Sequence, residues 1–377
     1  MPSLFSTAKA AAVWTLLGAA QIHAATNLKV PFKTSLAPNA APFYRPSAPL
    51  TNAALKVVAV VQAGDDQTFN EVLVDTGSAI LWVGAQEKYI PGPHTQTTNE
   101  TFSVGYGTGG VNGTAYLDRV TIGQATVSSQ LIGSAGYMQG FTLVEPIGGI
   151  VGLGPSGSNY GEVSGHNTTP TFVENLLSEG SIESGVFGIY VSPLSENGVP
   201  EGFGEITFGG VDQSKINGDV TWLPQNQPVD FHWEFNVSSF TIGENVTAGP
   251  IYARTDTGVL FIAIPFDSFV ALLADIPNAS LDQSSAIAGT LVFPTNVTVD
   301  SLPDMEIGIG NLNFSIPASK YIVPPTLHAS LNITDNLTHT WLASGGPDMF
   351  DLGQKFLENA YSAYDIENHL VGFAQLA

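Results

Sequence analysis

The chain has 377 residues, too many for one ordinary core, and 44% of them are hydrophobic, which excludes a disordered chain and points to two domains. Eleven Lys and Arg against 33 Asp and Glu leave a net charge of −22, so nucleic acid and an anionic membrane surface are both excluded as natural partners. There is no cysteine, so disulfide and thiolate chemistry are excluded too. In acid the carboxylates neutralise and few cations remain to repel one another, a composition suited to folding at low pH.

The N-terminal stretch carries one Lys, an apolar run at residues 10–20 and small residues at its end. It reads as a secretory signal over residues 1–24, because the apolar run is too short to span a bilayer well. Ten N-x-[ST] sequons, at Asn99, Asn112, Asn167, Asn236, Asn245, Asn278, Asn296, Asn313, Asn332 and Asn336, agree with a secreted, extracellular or vacuolar destination. Residues 25–54 are rich in Pro and Ala and read as a leader, short propeptide or loose arm. From Leu55 onward, short Val/Ile/Thr/Phe runs with 40 Gly and 24 Pro indicate a mostly β protein.

The stretch VLVDTGSAILWV (Val72–Val83) places Asp75 between two apolar runs. Burying a carboxylate costs several kcal/mol unless it is satisfied, so Asp75 either caps an Asx turn or does chemistry. Thr101–Gly123 reads as a hairpin, with Phe102, Val104 and Tyr106 alternating on one arm and a glycine-rich tip at Thr108–Gly110, as positive-φ turns demand. Alone, Tyr106 is an ordinary hairpin aromatic. Thr171–Gly180 reads as a helix with a Thr171/Glu174 capping box and a Gly180 stop. Pro265–Asp275 reads as a second helix, with Phe266, Phe269, Val270 and Leu273 on its apolar face.

The first pattern recurs as YARTDTGVLFIAIP (Tyr252–Pro265), with Asp256 in the place of Asp75. Two carboxylates brought face to face cannot both ionise easily, so they share a proton. One is then an acid and the other a base at the same pH, and a water between them can attack an amide without metal or covalent intermediate. The adjacent glycines allow a tight turn beneath each carboxylate, and nearby N–H and hydroxyl donors stabilise its charge.

These residues resemble the pepsin-like aspartic proteases, most of all the polyporopepsin-type enzymes of basidiomycete fungi. The resemblance covers the chain from about Leu55 to its end. Asp75-Thr76-Gly77-Ser78 and Asp256-Thr257-Gly258-Val259 are similar to the two active-site loops. Trp82 is similar to the tryptophan that follows the first loop, and Tyr106-Gly107-Thr108 to the flap. The resemblance implies a bilobal fold of two pseudo-symmetric β-rich lobes, residues 55–215 and 216–377, with a cleft between them. It implies catalytic Asp75 and Asp256, a flap residue Tyr106 closing over an extended polypeptide, no cofactor, no metal and a monomer free of membrane. Trp82 would lie behind the flap, where its N–H could bond the Tyr106 hydroxyl.

Two positions depart from the family pattern. Val259 stands where Ser or Thr is usual, so Asp256 lacks a hydroxyl donor and should hold the shared proton more firmly. Arg254 either faces the two acids and lowers a carboxylate pKa, or faces out as a surface cation. Both feed an alternative reading, a catalytically inert pepsin-like binding or inhibitory module. The G-x-G-x-x-G matches at Gly105–Gly110 and Gly152–Gly157 do not open a βαβ helix and are not nucleotide loops. No G-x-S-x-G elbow is present, and the histidines show no metal spacing.

Overall fold

The computed structural model describes residues 45–140, 146–195, 197–283, 286–347 and 349–377. The signal segment and most of the leader lie outside the described residues. The first strand, β1 (Ser47–Asn52), begins earlier than Leu55, inside the segment read as a loose arm. Pro46 and Pro49 hide the pattern, yet Ala48, Leu50 and Asn52 are buried at alternate positions while Pro49 points out to solvent.

The chain continues through β2 (Val57–Ala63), β3 (Gln67–Asp75), β4 (Leu81–Val83), β5 (Gln96–Tyr106), β6 (Gly109–Ile122), β7 (Ala125–Gln139) and β8 (Gly149–Gly152). After helix α1 (Phe172–Ser178) come β9 (Val186–Tyr190), β10 (Gly204–Phe208) and β11 (Ile216–Pro224). The second half opens with β12 (Glu234–Ile242), β13 (Asn245–Thr255), β14 (Ile262–Pro265) and helix α2 (Phe266–Asp275). Thirteen strands form one sheet, in which the C-terminal strands Tyr361–Asp365 and Leu370–Leu376 are inserted between β11 and β9. Both halves of the chain therefore share this sheet, and the described residues form one compact unit. Seven further strands from the second half, β12 to β14 among them, form a second sheet.

The D-T-G repeat of the sequence is also a repeat of topology. β3 ends at Asp75 and runs parallel to β8, which pairs antiparallel with β4, and β4 in turn pairs parallel with β7. In the second half β13 leads into Asp256 and runs parallel to Met349–Leu352, which pairs antiparallel with β14, and β14 pairs parallel with Leu342–Gly346. The inner strands β8 and β14 are buried along their whole length, as strands covered on both faces must be. The halves are further joined through an aromatic cluster of Phe187, Trp233 and Tyr364, and the Trp233 indole N–H donates to the Leu153 carbonyl at 2.9 Å.

Two local expectations need correction. The β5–β6 hairpin closes at the Tyr106–Gly109 pair, so its tip is Gly107–Thr108, and none of its glycines adopts positive φ. The tip glycines make a thin, open turn rather than a left-handed one. Helix α2 forms where expected but buries Ser268, Phe269 and Leu272, leaving Phe266 and Val270 exposed. It starts directly at the end of β14 and packs on β13, β14 and Leu342–Gly346, so the strand fixes which side faces the sheet.

Helix α1 carries the expected capping box in full. The Thr171 hydroxyl accepts from the Glu174 N–H, and the Glu174 carboxylate accepts from the Thr171 N–H. Thr171→Ala should lower the unfolding free energy by about 1 kcal/mol, read as a fall of a few degrees in thermal midpoint. An unchanged midpoint would show that the sheet, not the cap, fixes this helix.

Candidate active site

Each aspartate sits where a central parallel strand gives way to a turn. Within each loop the carboxylate accepts a backbone N–H, Gly77 to Asp75 Oδ1 at 2.9 Å and Gly258 to Asp256 Oδ1 at 2.8 Å. The two carboxyl groups face one another, each lying against the glycine of the opposite loop, and Asp75 bears on the ionisation of Asp256. The glycines serve this approach by lacking a side chain, not by an unusual turn. A Cβ on Gly258 would stand 2.5 Å from Asp75 Oδ1, and one on Gly77 would overlap Asp256 Oδ2.

The threonines do a different job from the one read in the sequence. The Thr76 N–H donates to the Thr257 hydroxyl at 3.0 Å, and the Thr257 N–H donates to the Thr76 hydroxyl at 3.0 Å. The Thr257 hydroxyl then donates to the Val74 carbonyl at 2.7 Å, and the Thr76 hydroxyl reaches the Thr255 carbonyl at 3.4 Å. Both threonines are buried. Their hydroxyls therefore lock one loop to the other rather than solvating the carboxylates.

The two acids are not equivalent. The Ser78 hydroxyl donates to Asp75 Oδ2 at 2.5 Å, whereas Val259 gives Asp256 no such donor. Burial pushes the Asp256 carboxyl well above the ordinary carboxylate range, and the Asp75 and Asp351 charges add to the shift; the Gly258 N–H opposes it. Tyr106 stands over the pair, near Ser78, with its hydroxyl accepting from the Trp82 indole N–H at 2.8 Å. Burial and the Asp75 charge raise its phenol pKa, so it stays protonated. Trp82 itself is fully buried, so it belongs to the core and holds the flap at once.

A cavity of about 380 Å³ contains these groups, lined in part by Asp75, Gly77, Ser78, Tyr106, Gly107, Thr108, Asp256, Gly258 and Val259. Arg254 lines it too, which answers the question of its direction, but its guanidinium donates through Nε and Nη2 to Asp351 Oδ2 at 2.9 and 2.5 Å. Asp351 is supplied by the strand running parallel to β13, in register with Arg254. Two cavity-lining groups, Glu162 and His232, escaped the sequence reading, as did Asp351, the ion-pair partner of Arg254. No local pattern marks them, because the sheet topology brings them in.

A pair of carboxyl groups held this close is the working group of one hydrolase class, the aspartic-type endopeptidases, and comparison with known proteins leads to the same class. The family model for eukaryotic aspartyl protease matches residues 58–376. The chain is 32% identical over 341 residues to polyporopepsin of Irpex lacteus, covering 87% of this chain and 96% of that protein. It is 30% identical over 323 residues to gastricsin of Suncus murinus, covering 81% and 78%. The crystal structure of the aspartic proteinase from Irpex lacteus matches with a TM-score of 0.78 at 30% identity, covering 89% of this chain and 98% of that one. The chain belongs to the eukaryotic aspartyl protease family, with the bilobal pepsin-like fold, and is an aspartic-type endopeptidase.

Two cleft acids link the site to pH. Burial pushes Glu162 from about 4.5 to about 7, and Asp256 is shifted in the same direction. Between the unfolded and folded values the native state holds more protons than the unfolded chain, so stability from these groups falls as pH rises through that window. Thermal midpoints should therefore decline from pH 4.5 to 7, and Glu162→Gln should lessen the decline. An identical decline in the variant would contradict the burial assigned to Glu162.

Proposed function

We propose that the chain is a secreted, monomeric acid endopeptidase that cleaves extended polypeptides with a water activated between Asp75 and Asp256. The observation that carries this reading is the apposition of the two carboxyl groups across reciprocally bonded loops. Asp256, raised in pKa and without a hydroxyl donor, holds the shared proton; Asp75, served by Ser78 and Gly77, carries the charge. Asp75 takes a proton from the water as its oxygen attacks the scissile carbonyl carbon, and Asp256 gives its proton to the carbonyl oxygen. The resulting diol collapses with proton transfer to the amide nitrogen, the C–N bond breaks and the dyad returns to one proton. Tyr106 and the tip residues Gly107 and Thr108 cover the substrate and exclude water.

Secretion rests on the signal-like N-terminus and on the sequons, nine of which are exposed and the tenth, Asn245, half-buried. Among the described residues no helix is long and apolar enough to cross a membrane. The inert-relative reading drew on Arg254, whose charge is met by Asp351 rather than by the dyad.

Asp75→Asn and Asp256→Asn should each lower cleavage of an unfolded protein at acidic pH by at least about 1000-fold while leaving the thermal midpoint near or above that of the parent. Activity within tenfold of the parent in either variant would refute the dyad. Val259→Thr restores a hydroxyl beside Asp256 and should shift the alkaline limb of the pH–rate profile, where Asp256 loses its proton, to lower pH; an unmoved profile would mean that the hydroxyl is not what sets the proton's place.

A further inference from the structure

Glu162 has no role in the hydrolytic cycle, yet it lines the same cavity as Asp75, Asp256 and Tyr106. The cavity also has an apolar lining, with Leu73, Val104 and Ile150 among it. Its backbone is fixed rather than loose. The Ser103 N–H donates to the Glu162 carbonyl at 2.8 Å, the Glu162 N–H donates to the Asn159 carbonyl at 3.1 Å, and the next residue, Val163, bridges to Phe102. Glu162 is thus fastened to the flank of the flap strand β5, beside the reacting centre, and not to the flap's tip.

No described Lys, Arg or His forms an ion pair with Glu162. The cavity's own arginine is already bonded to Asp351, and the dyad keeps a negative charge when it shares one proton. A pocket with an apolar wall and an unpaired carboxyl group matches one kind of side chain: a long aliphatic stem with a cationic end. We propose that Glu162 is a specificity residue that favours substrates with a lysine or arginine next to the scissile bond. This rests on the peptidase reading of the cleft. The stem would lie along Leu73, Val104 and Ile150, and the cation would meet the carboxylate in a water-poor site, where such pairing is strongest.

The preference should depend on pH, because only the ionised carboxylate attracts a cation. Burial holds Glu162 protonated in acid, up to about pH 7, and a bound cation would draw it into the ionised form. The other ionisable groups facing the cavity are Asp75, Asp256, Tyr106, His232 and Arg254. Their titration affects charged and neutral substrates of one sequence through the same chemical step, so a ratio of rates isolates the part due to Glu162.

The experiment uses the full-length secreted enzyme and paired peptides, identical except for lysine or norleucine at a residue flanking the cleaved bond, each flank in turn. For one flank, the lysine/norleucine ratio of kcat/KM should rise about tenfold between pH 4 and pH 6. In Glu162→Gln the ratio should stay flat with pH and lie about tenfold below the parent's at pH 6. Glu162→Lys should turn the preference toward a glutamate peptide, which shows that the variant is folded and that charge sets the choice. If the norleucine peptide is cut while the ratio is flat in the parent and unchanged in both variants, this inference is wrong and the peptidase reading stands. If neither peptide is cut, both fall.

Discussion

The candidate site depends on two threonine hydroxyls that each accept the other loop's backbone N–H. Each such buried bond is worth about 1 kcal/mol net, but their larger effect is geometric. They fix the distance between two loops that are far apart in sequence and that come from different halves of the chain. Glycine at positions 77 and 258 then lets the carboxylates close in, because any side chain there would meet the opposite aspartate. Like charges forced together in this way cannot both ionise easily, and that frustration is the physical ground of the proposal that one serves as acid and the other as base.

The surrounding structure breaks the symmetry of the pair. The topological repeat would give two equal acids, yet only Asp75 receives a serine hydroxyl. Asp256 has Val259, with no hydroxyl, at the matching position and feels the charge of Asp351. Arg254 offsets Asp351 directly, through two hydrogen bonds to one of its oxygens. The charged residues near Asp256 thus form a nearly neutral pair, and burial remains the main cause of its raised pKa.

Much of the site could be read in the sequence because its signals are local. Asp75, Asp256, Tyr106 and Trp82 each belong to a short pattern of fixed spacing, and the Trp82–Tyr106 hydrogen bond follows from placing that tryptophan behind the flap. The capping box of α1 was equally plain, since both its partners lie within four residues. What escaped the sequence is what topology supplies. β1 was masked by its prolines, the buried face of α2 is set by the strand before it, and the threonine hydroxyls point to a loop 181 residues away. Glu162 and His232 carry no motif at all and reach the cleft only through the packing of separate strands and loops, as Asp351 reaches Arg254.

Neutron diffraction from deuterated crystals grown at acidic pH would locate the shared proton directly. A single deuteron is expected between the two carboxyl groups, bonded to an oxygen of Asp256, with Asp75 ionised and accepting from Ser78. A deuteron on each aspartate, none on either, or carboxyl oxygens too far apart for one solvent molecule to bridge would contradict it.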